Sequence, residues 1–199
     1  RSPMIAVVDY DTGNLRSVEN ALRRAGGEFV TSADIPTILA ADRILLPGVG
    51  EASSAMAKLR ERGLDRIIPK LTVPVLGICI GAQLLCRRSE EGSTDCLGIF
   101  DCDVRRLSDP DSLGLKIPEM GWNTVEGLRS PLFDGIEPES YVYYVHSFAP
   151  DVCRHTIATT RYGTAFSAAL QNSNFFGTQF HPEKSGAVGA RIIENFLRL

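Results

Sequence analysis

Residues 73–83 constrain this chain more than any other segment. Val73, Pro74, Val75, Leu76, Gly77 and Ile78 make a nearly unbroken apolar run, and Cys79, Ile80, Gly81, Ala82 and Gln83 follow at once. Such a run is the pattern of a strand covered on both faces, which calls for helices above and below a parallel sheet. A strand that passes through Gly-x-Cys-x-Gly straight into a helix turns sharply at its tip. The small residues two positions either side of Cys79 let strand and helix pass closely at that turn.

The flanking pattern fits that sheet. Residues 4–8 read as a first strand. Asp11, Thr12, Gly13 and Asn14 make a turn, after which Leu15, Val18, Ala21, Leu22 and Ala25 recur at helical spacing until Gly26 and Gly27 stop the helix. Residues 28–31 and 43–46 read as further strands. The second of these ends in Pro47, Gly48, Val49 and Gly50, before a helix marked by Ala52, Ala55, Met56 and Leu59. Past residue 95 the pattern changes to short strands with turns between them, at 99–107, 123–125, 141–148, 156–161, 168–171 and 175–180. A closing helix is expected over 189–199. No repeat, low-complexity tract or linker divides the chain, so one domain over residues 1–199 is expected, its antiparallel or mixed second half packed on the first as one sheet system. The predicted class is α/β, with a mainly parallel central sheet, helices on both faces and an antiparallel second half.

The chain has 199 residues, 44% of them hydrophobic, and a net charge of −3, which leaves no electrostatic footprint for nucleic acid. No apolar run has the roughly 20 residues needed to cross a bilayer, and no signal-peptide pattern opens the chain. Residues 1–3 read as a non-native remnant before Met4. Five cysteines without a Cys-x-x-Cys pair argue against a zinc or redox motif and suit a reducing cytoplasm.

Cys79 has two readings, a nucleophile on a tight elbow or a small buried hydrophobe. The helix start beneath it favours thiolate over thiol. Among three histidines, His181 stands where an apolar strand breaks at Pro182. Glu183, two residues on, can reach the far nitrogen of its ring, fixing the tautomer and stabilising the imidazolium. Separately these are a strand-end histidine and a solvated turn glutamate; together with the elbow they point to Cys79, His181 and Glu183 as a catalytic triad. Acyl transfer needs oxyanion donors, and the Val49 peptide, between two glycines, and the Ile80 amide are the candidates. His146 is expected to be a hydrogen-bonded core or interface residue and His155 a solvated one. Cys86, two helical turns after Cys79, is expected to pack inward from the same helix, and Glu90 with Glu91 to form a solvated charge pair.

The segments 77–83 (Gly-Ile-Cys-Ile-Gly-Ala-Gln) and 180–183 (Phe-His-Pro-Glu) resemble the class I, or triad, glutamine amidotransferases, and the resemblance covers essentially the whole chain. Residues 9–14 (Asp-Tyr-Asp-Thr-Gly-Asn), 120–123 (Met-Gly-Trp-Asn) and 179–185 (Gln-Phe-His-Pro-Glu-Lys-Ser) are similar, within that family, to the glutaminase subunits of imidazole glycerol phosphate synthases. The nearest alternative is the glutaminase of pyridoxal phosphate, anthranilate or guanylate synthesis, with the same catalytic residues; the first two of these segments argue against it. A non-catalytic module with a buried cysteine is the reading from another class.

The resemblance implies a flavodoxin-like domain in which Cys79 attacks the glutamine side-chain amide and a γ-glutamyl thioester forms. Gln83 and the Ser147 and Phe148 backbone would hold the substrate's α-amino and α-carboxylate groups, with Gly48, Gly50 and Glu91 nearby. The Val49 peptide is expected to flip to complete the oxyanion hole, so that the isolated chain is a poor glutaminase. Ammonia would pass to a (β/α)₈-barrel cyclase subunit. There it would convert a phosphoribulosyl-formimino aminoimidazole carboxamide ribonucleotide to imidazole glycerol phosphate and an aminoimidazole carboxamide ribonucleotide. Met120, Trp122, Tyr143 and Lys184 match positions at that interface. The resemblance implies no metal and no organic cofactor. Phe148 departs from the family's usual tyrosine, which spares a backbone role.

Overall fold

The computed structural model describes residues 4–13 and 15–199. The expected remnant over residues 1–3 and the turn position Asn14 lie outside the described residues. Along the first half run β1 (Met4–Val8), α1 (Arg16–Arg24), β2 (Glu28–Ser32), α2 (Ile35–Leu39), β3 (Arg43–Leu46), α3 (Ala52–Glu61), α4 (Leu64–Ile67), β4 (Val75–Ile78) and α5 (Ile80–Leu84). The second half carries β5 (Cys86–Ser89), β6 (Thr94–Asp95), β7 (Phe100–Arg106), β8 (Glu119–Thr124), β9 (Tyr141–His146), β10 (Phe148–Pro150), β11 (Thr156–Tyr162), β12 (Thr164–Asn172), β13 (Phe175–Thr178) and α6 (Gly186–Leu197).

Among the described residues, seven strands form one sheet in the order β11-β12-β13-β4-β3-β1-β2. The strands from β13 to β2 run parallel, and β12 and β11 add an antiparallel edge. Alternation along the strands sends side chains to two cores. Ile5, Val7, Leu45, Leu76 and Ile78 meet Val18 and Leu22 of α1 and Ile192, Ile193 and Phe196 of α6. Ala6, Val8, Ile44, Leu46 and Val75 meet Ile38, Met56, Leu59, Leu64 and Leu84 on the opposite face. Each fully buried aliphatic side chain contributes about 1.5–3 kcal/mol relative to exposure, so both faces are held.

The second half does not extend one sheet system. Besides β11 to β13 it supplies a four-stranded sheet, β10-β7-β5-β6, and a two-stranded ribbon, β8-β9. The run at 141–148 breaks at Ser147: its carbonyl is captured by the Leu107 amide at 2.8 Å, and Phe148 leaves the ribbon to pair with Arg106. Cys86 is also not on the helix after Cys79. Leu85 turns its carbonyl to the amides of Ile99 and Phe100, at 2.9 and 2.8 Å, and Cys86 opens β5. It is buried there, its sulfur 3.7 Å from that of Cys102.

Register places the functional edge. Leu46 of β3 lies beside Gly77 of β4, and Ile78 beside Thr178 of β13. Three adjacent parallel strands therefore end at one level, and the segments that follow them, residues 47–50, Cys79 and residues 179–181, emerge side by side at the C-terminal edge where ligands bind in open α/β sheets.

Candidate active site

Cys79 sits at φ 55° and ψ −113°, a backbone conformation costly for a side chain with a Cβ. It is held by the Cys79 amide bonding Thr178 O at 2.8 Å, and by the Ala82 and Gln83 amides bonding Cys79 O at 3.0 and 3.2 Å. The two glycines of the elbow are required by contact: a Cβ on Gly81 would lie 1.9 Å from Leu46 O, and one on Gly77 would lie 2.7 Å from Gly81 O. Because α5 has only five residues, its dipole is small; the free amides of its first turn are the part of the helix start that can act here.

His181 follows β13 and shares the wall of one cavity with Cys79, close enough for the sulfur to act on its ring. Its Nδ1 is 2.9 Å from Glu183 Oε1, with the two side chains 10% and 2% exposed. Residues 182–184 are not extended, as the two-residue spacing implies, but form a single 3₁₀ turn. The turn is closed by the Lys184 amide on His181 O at 3.0 Å and by Ser185 Oγ on the same carbonyl at 2.6 Å. Burial works against a charged ring. Hydrogen bonds from Cys79 and Glu183, with Coulombic attraction to both, outweigh it and push the His181 pKa up to about 10. The ring therefore holds its second proton at neutral pH, beside the Cys79 sulfur and the Glu183 carboxylate.

A cavity of about 360 Å³ opens over Cys79, at the small end of the roughly 300–1,000 Å³ of ligand pockets. Its wall brings together Val49, Gly50, Cys79, Ile80, Gln83, Glu91, Ser147, Phe148, His181 and Lys184. Gly48 is set behind that wall, where a Cβ would meet the Tyr10 hydroxyl at 2.7 Å. Val49 itself is 47% exposed.

Gln83 is buried, and its Nε2 donates to Phe148 O at 3.0 Å and to Gln179 Oε1 at 2.9 Å. Its Oε1 finds no partner among the described residues, which leaves an unpaired acceptor on a residue of the cavity wall. Glu91 is more than a solvated partner of Glu90. Its carboxylate accepts from the Ala52 amide at 2.7 Å, and burial raises its pKa against that bond.

Met120 and Trp122, 68% and 55% exposed, share the outer face of the ribbon with Tyr143, since directly paired residues point the same way. Trp122 and Tyr143 meet edge to face at 5.7 Å. Lys184 is exposed at the cavity rim.

Sequence reasoning missed Gln179, Tyr10, Glu119 and Pro118. Gln179 Nε2 lies 3.7 Å from the Cys79 sulfur; it stands two residues before His181, and strand alternation is the signal that could have found it. Tyr10 donates to Pro47 O at 2.7 Å, bracing residues 47–50 from below. Pro118 lines the cavity and Glu119 pairs with His146 of β9; neither placement has a signal in the local sequence. His146 is the buried, hydrogen-bonded residue expected. His155 is not simply solvated: its ring lies 6.1 Å from that of Phe100 and its Nε2 is buried.

The profile of the glutamine amidotransferase class-I family matches residues 6–199. The chain belongs to that family. It is thus a glutamine amidotransferase, and its α/β sheet with a separate antiparallel sheet is that family's fold. It is 53% identical over 195 residues to the imidazole glycerol phosphate synthase subunit HisH of Bacteroides fragilis strain YCH46, covering 98% of this chain and 99% of the relative. The HisH subunit of Escherichia coli K12 is 49% identical over 197 residues, covering 98% and 99%. In fold it resembles PurLQS from Thermotoga maritima, with a TM-score of 0.71 at 20% identity over 100% of this chain and 99% of that one. A glutamine amidotransferase from the same organism gives 0.67 at 20% over 98% and 82%. No described helix is long and apolar enough to cross a membrane.

Proposed function

We propose that this chain, acting as one unit, is the glutamine-hydrolysing subunit of a cytoplasmic imidazole glycerol phosphate synthase, with Cys79, His181 and Glu183 as its catalytic triad. The observation that carries the reading is the His181 ring bonded to Glu183 and sharing the wall of a small cavity with the Cys79 sulfur. In this mechanism Cys79 reacts as the thiolate, its proton resting on His181, and the sulfur forms a bond to the glutamine side-chain carbonyl carbon. The oxygen takes the negative charge, facing amides of the Val49 region and Ile80. The carbon–nitrogen bond then breaks as His181 gives its proton to the departing nitrogen, releasing ammonia and leaving a γ-glutamyl thioester. Water, losing a proton to His181, attacks that thioester, and glutamate leaves with the sulfur restored.

Gln83 Oε1 and Glu91 suit an α-ammonium group, the first as an unfilled acceptor and the second as a negative charge. The Ser147 and Phe148 backbone, with Gly50 near it, suits the α-carboxylate. The outer face of the ribbon, with Met120, Trp122, Tyr143 and Lys184, is where a (β/α)₈-barrel cyclase subunit docks to receive ammonia. Aromatic side chains exposed in this way are the usual anchors of interfaces. The test is a glutaminase assay with and without that cyclase and its nucleotide substrate. Turnover that rises on adding both is expected, since one unaligned oxyanion donor withholds roughly 3 kcal/mol of transition-state stabilisation. Equal turnover without the partner contradicts the coupling, and turnover by Cys79→Ala above background contradicts the triad.

A further inference from the structure

We infer that Glu119 and His146 form a positioning pair whose task is to fix the Phe148 carbonyl, and through it Gln83, for glutamine binding; this rests on the substrate reading above. The two residues are direct cross-strand partners of β8 and β9 and point to the inner face of the ribbon, their side chains 5% and 2% exposed. Glu119 Oε1 lies 2.6 Å from His146 Nε2. His146 Nδ1 lies 2.9 Å from Phe148 O. Asn123 Nδ2 donates to Glu119 Oε2 at 2.8 Å.

Proton counting fixes the state of this pair. A carbonyl oxygen only accepts, so Nδ1 carries a hydrogen. Two lone pairs cannot face each other at 2.6 Å, so a second proton lies between Nε2 and Oε1. The imidazole is thereby held with both nitrogens engaged. Packing at 5.0 Å on Tyr144 and 5.1 Å on Phe166 stops it from turning.

The consequence reaches the cavity. Phe148 O accepts from His146 Nδ1 and from Gln83 Nε2, which fills both of its lone pairs. Because that acceptor can meet only an N–H group, the Gln83 amide cannot flip, and its Oε1 stays the unpartnered atom of a residue that lines the cavity. Gln179 continues the chain of contacts from Gln83 to within 3.7 Å of the Cys79 sulfur. An apolar pair would fill this space without the cost of burying a charge or a polar hydrogen bond. What only the hydrogen-bonding pair supplies is a donor of fixed direction to Phe148 O.

The test compares Glu119→Leu with Glu119→Gln in the full chain assembled with its cyclase partner. Glu119→Leu removes the clamp and keeps most of the volume. Its KM for glutamine is expected to rise about tenfold, the size of losing one buried hydrogen bond, with kcat changed less than twofold and iodoacetamide alkylation of Cys79 at the unaltered rate. Glu119→Gln can still donate to His146 Nε2 and accept from Asn123, and its KM is expected to return to within about twofold of the unaltered value. An unchanged KM in Glu119→Leu, or equal losses in both variants, overturns the pair's role. Should Glu119→Leu not fold, ¹⁵N-resolved imidazole spectra of the unaltered chain decide: a hydrogen on Nδ1 and one shared at Nε2 are expected, and a bare Nδ1 overturns the assignment. If the unaltered complex itself turns over no glutamine, the substrate reading fails and this inference with it.

Discussion

Two histidine–glutamate pairs meet at strand β9, and they use the same groups in opposite ways. In His181 and Glu183 the carboxylate takes Nδ1, and the ring stands on the cavity wall with the Cys79 sulfur. In His146 and Glu119 the carboxylate takes Nε2 and the other nitrogen is spent on a backbone carbonyl. A ring with one nitrogen left over on a cavity wall can move a proton. A ring with both nitrogens consumed by fixed partners can only hold a geometry. The difference comes from where each histidine leaves its strand. His181 comes after the end of β13, at the level of Cys79, while His146 stays paired inside the ribbon.

That contrast can be broken from its reactive side. His181→Asn removes the proton carrier and is expected to lower kcat about 10³-fold, within the range of general acid–base catalysis, in a steady-state glutaminase assay. A loss comparable to that of Glu119→Leu would mean that both rings merely position. Glu183→Gln keeps a hydrogen bond to the ring but withdraws the negative charge that favours the imidazolium; a fall in kcat of about 10²-fold, the lower end for general acid–base catalysis, is expected, with KM close to the unaltered value.

The pH dependence sharpens the same comparison with a smaller effect. Because folding raises the His181 pKa to about 10 from its ordinary 6.5, the folded state binds a proton that the unfolded chain gives up. Its contribution to stability is complete below pH 6.5 and is lost as pH rises through about 10. The Tm difference between the unaltered chain and His181→Asn should therefore shrink by a few degrees, about 2–4 °C per kcal/mol for a chain of this size, between pH 7 and pH 11. A difference that grows over that interval would mean that His181 is neutral in the folded chain.

The reactive pair is legible in the sequence because its parts are local. The elbow announces itself in Gly77, Cys79 and Gly81, and His181 and Glu183 are two residues apart. The positioning pair is not, since Glu119 and His146 are 27 residues apart and meet only through cross-strand register. The parallel first half can be read from apolar runs, because each helix covers the strand beside it in sequence. Strand β8 shows only its end in the sequence, since Glu119, Met120 and Gly121 have little strand propensity and are paired only because β9 lies alongside. Helix α2 escapes a reading based on apolar periodicity because it is a single short turn or so, although Asp34 caps it, accepting from the Thr37 amide at 3.1 Å, with Pro36 in its first turn. Cys86 reads as helical because the tertiary hydrogen bonds to Leu85 that end the helix leave no trace in periodicity.

The central claim is that the sulfur of Cys79, alone among the five cysteines, is presented to glutamine. Incubating the full chain with a glutamine-like diazo-ketone and mapping the adduct by mass spectrometry tests it most directly. A single adduct on Cys79, prevented by excess glutamine, is the predicted result. Modification of Cys86, Cys102 or Cys153 with Cys79 untouched would contradict it.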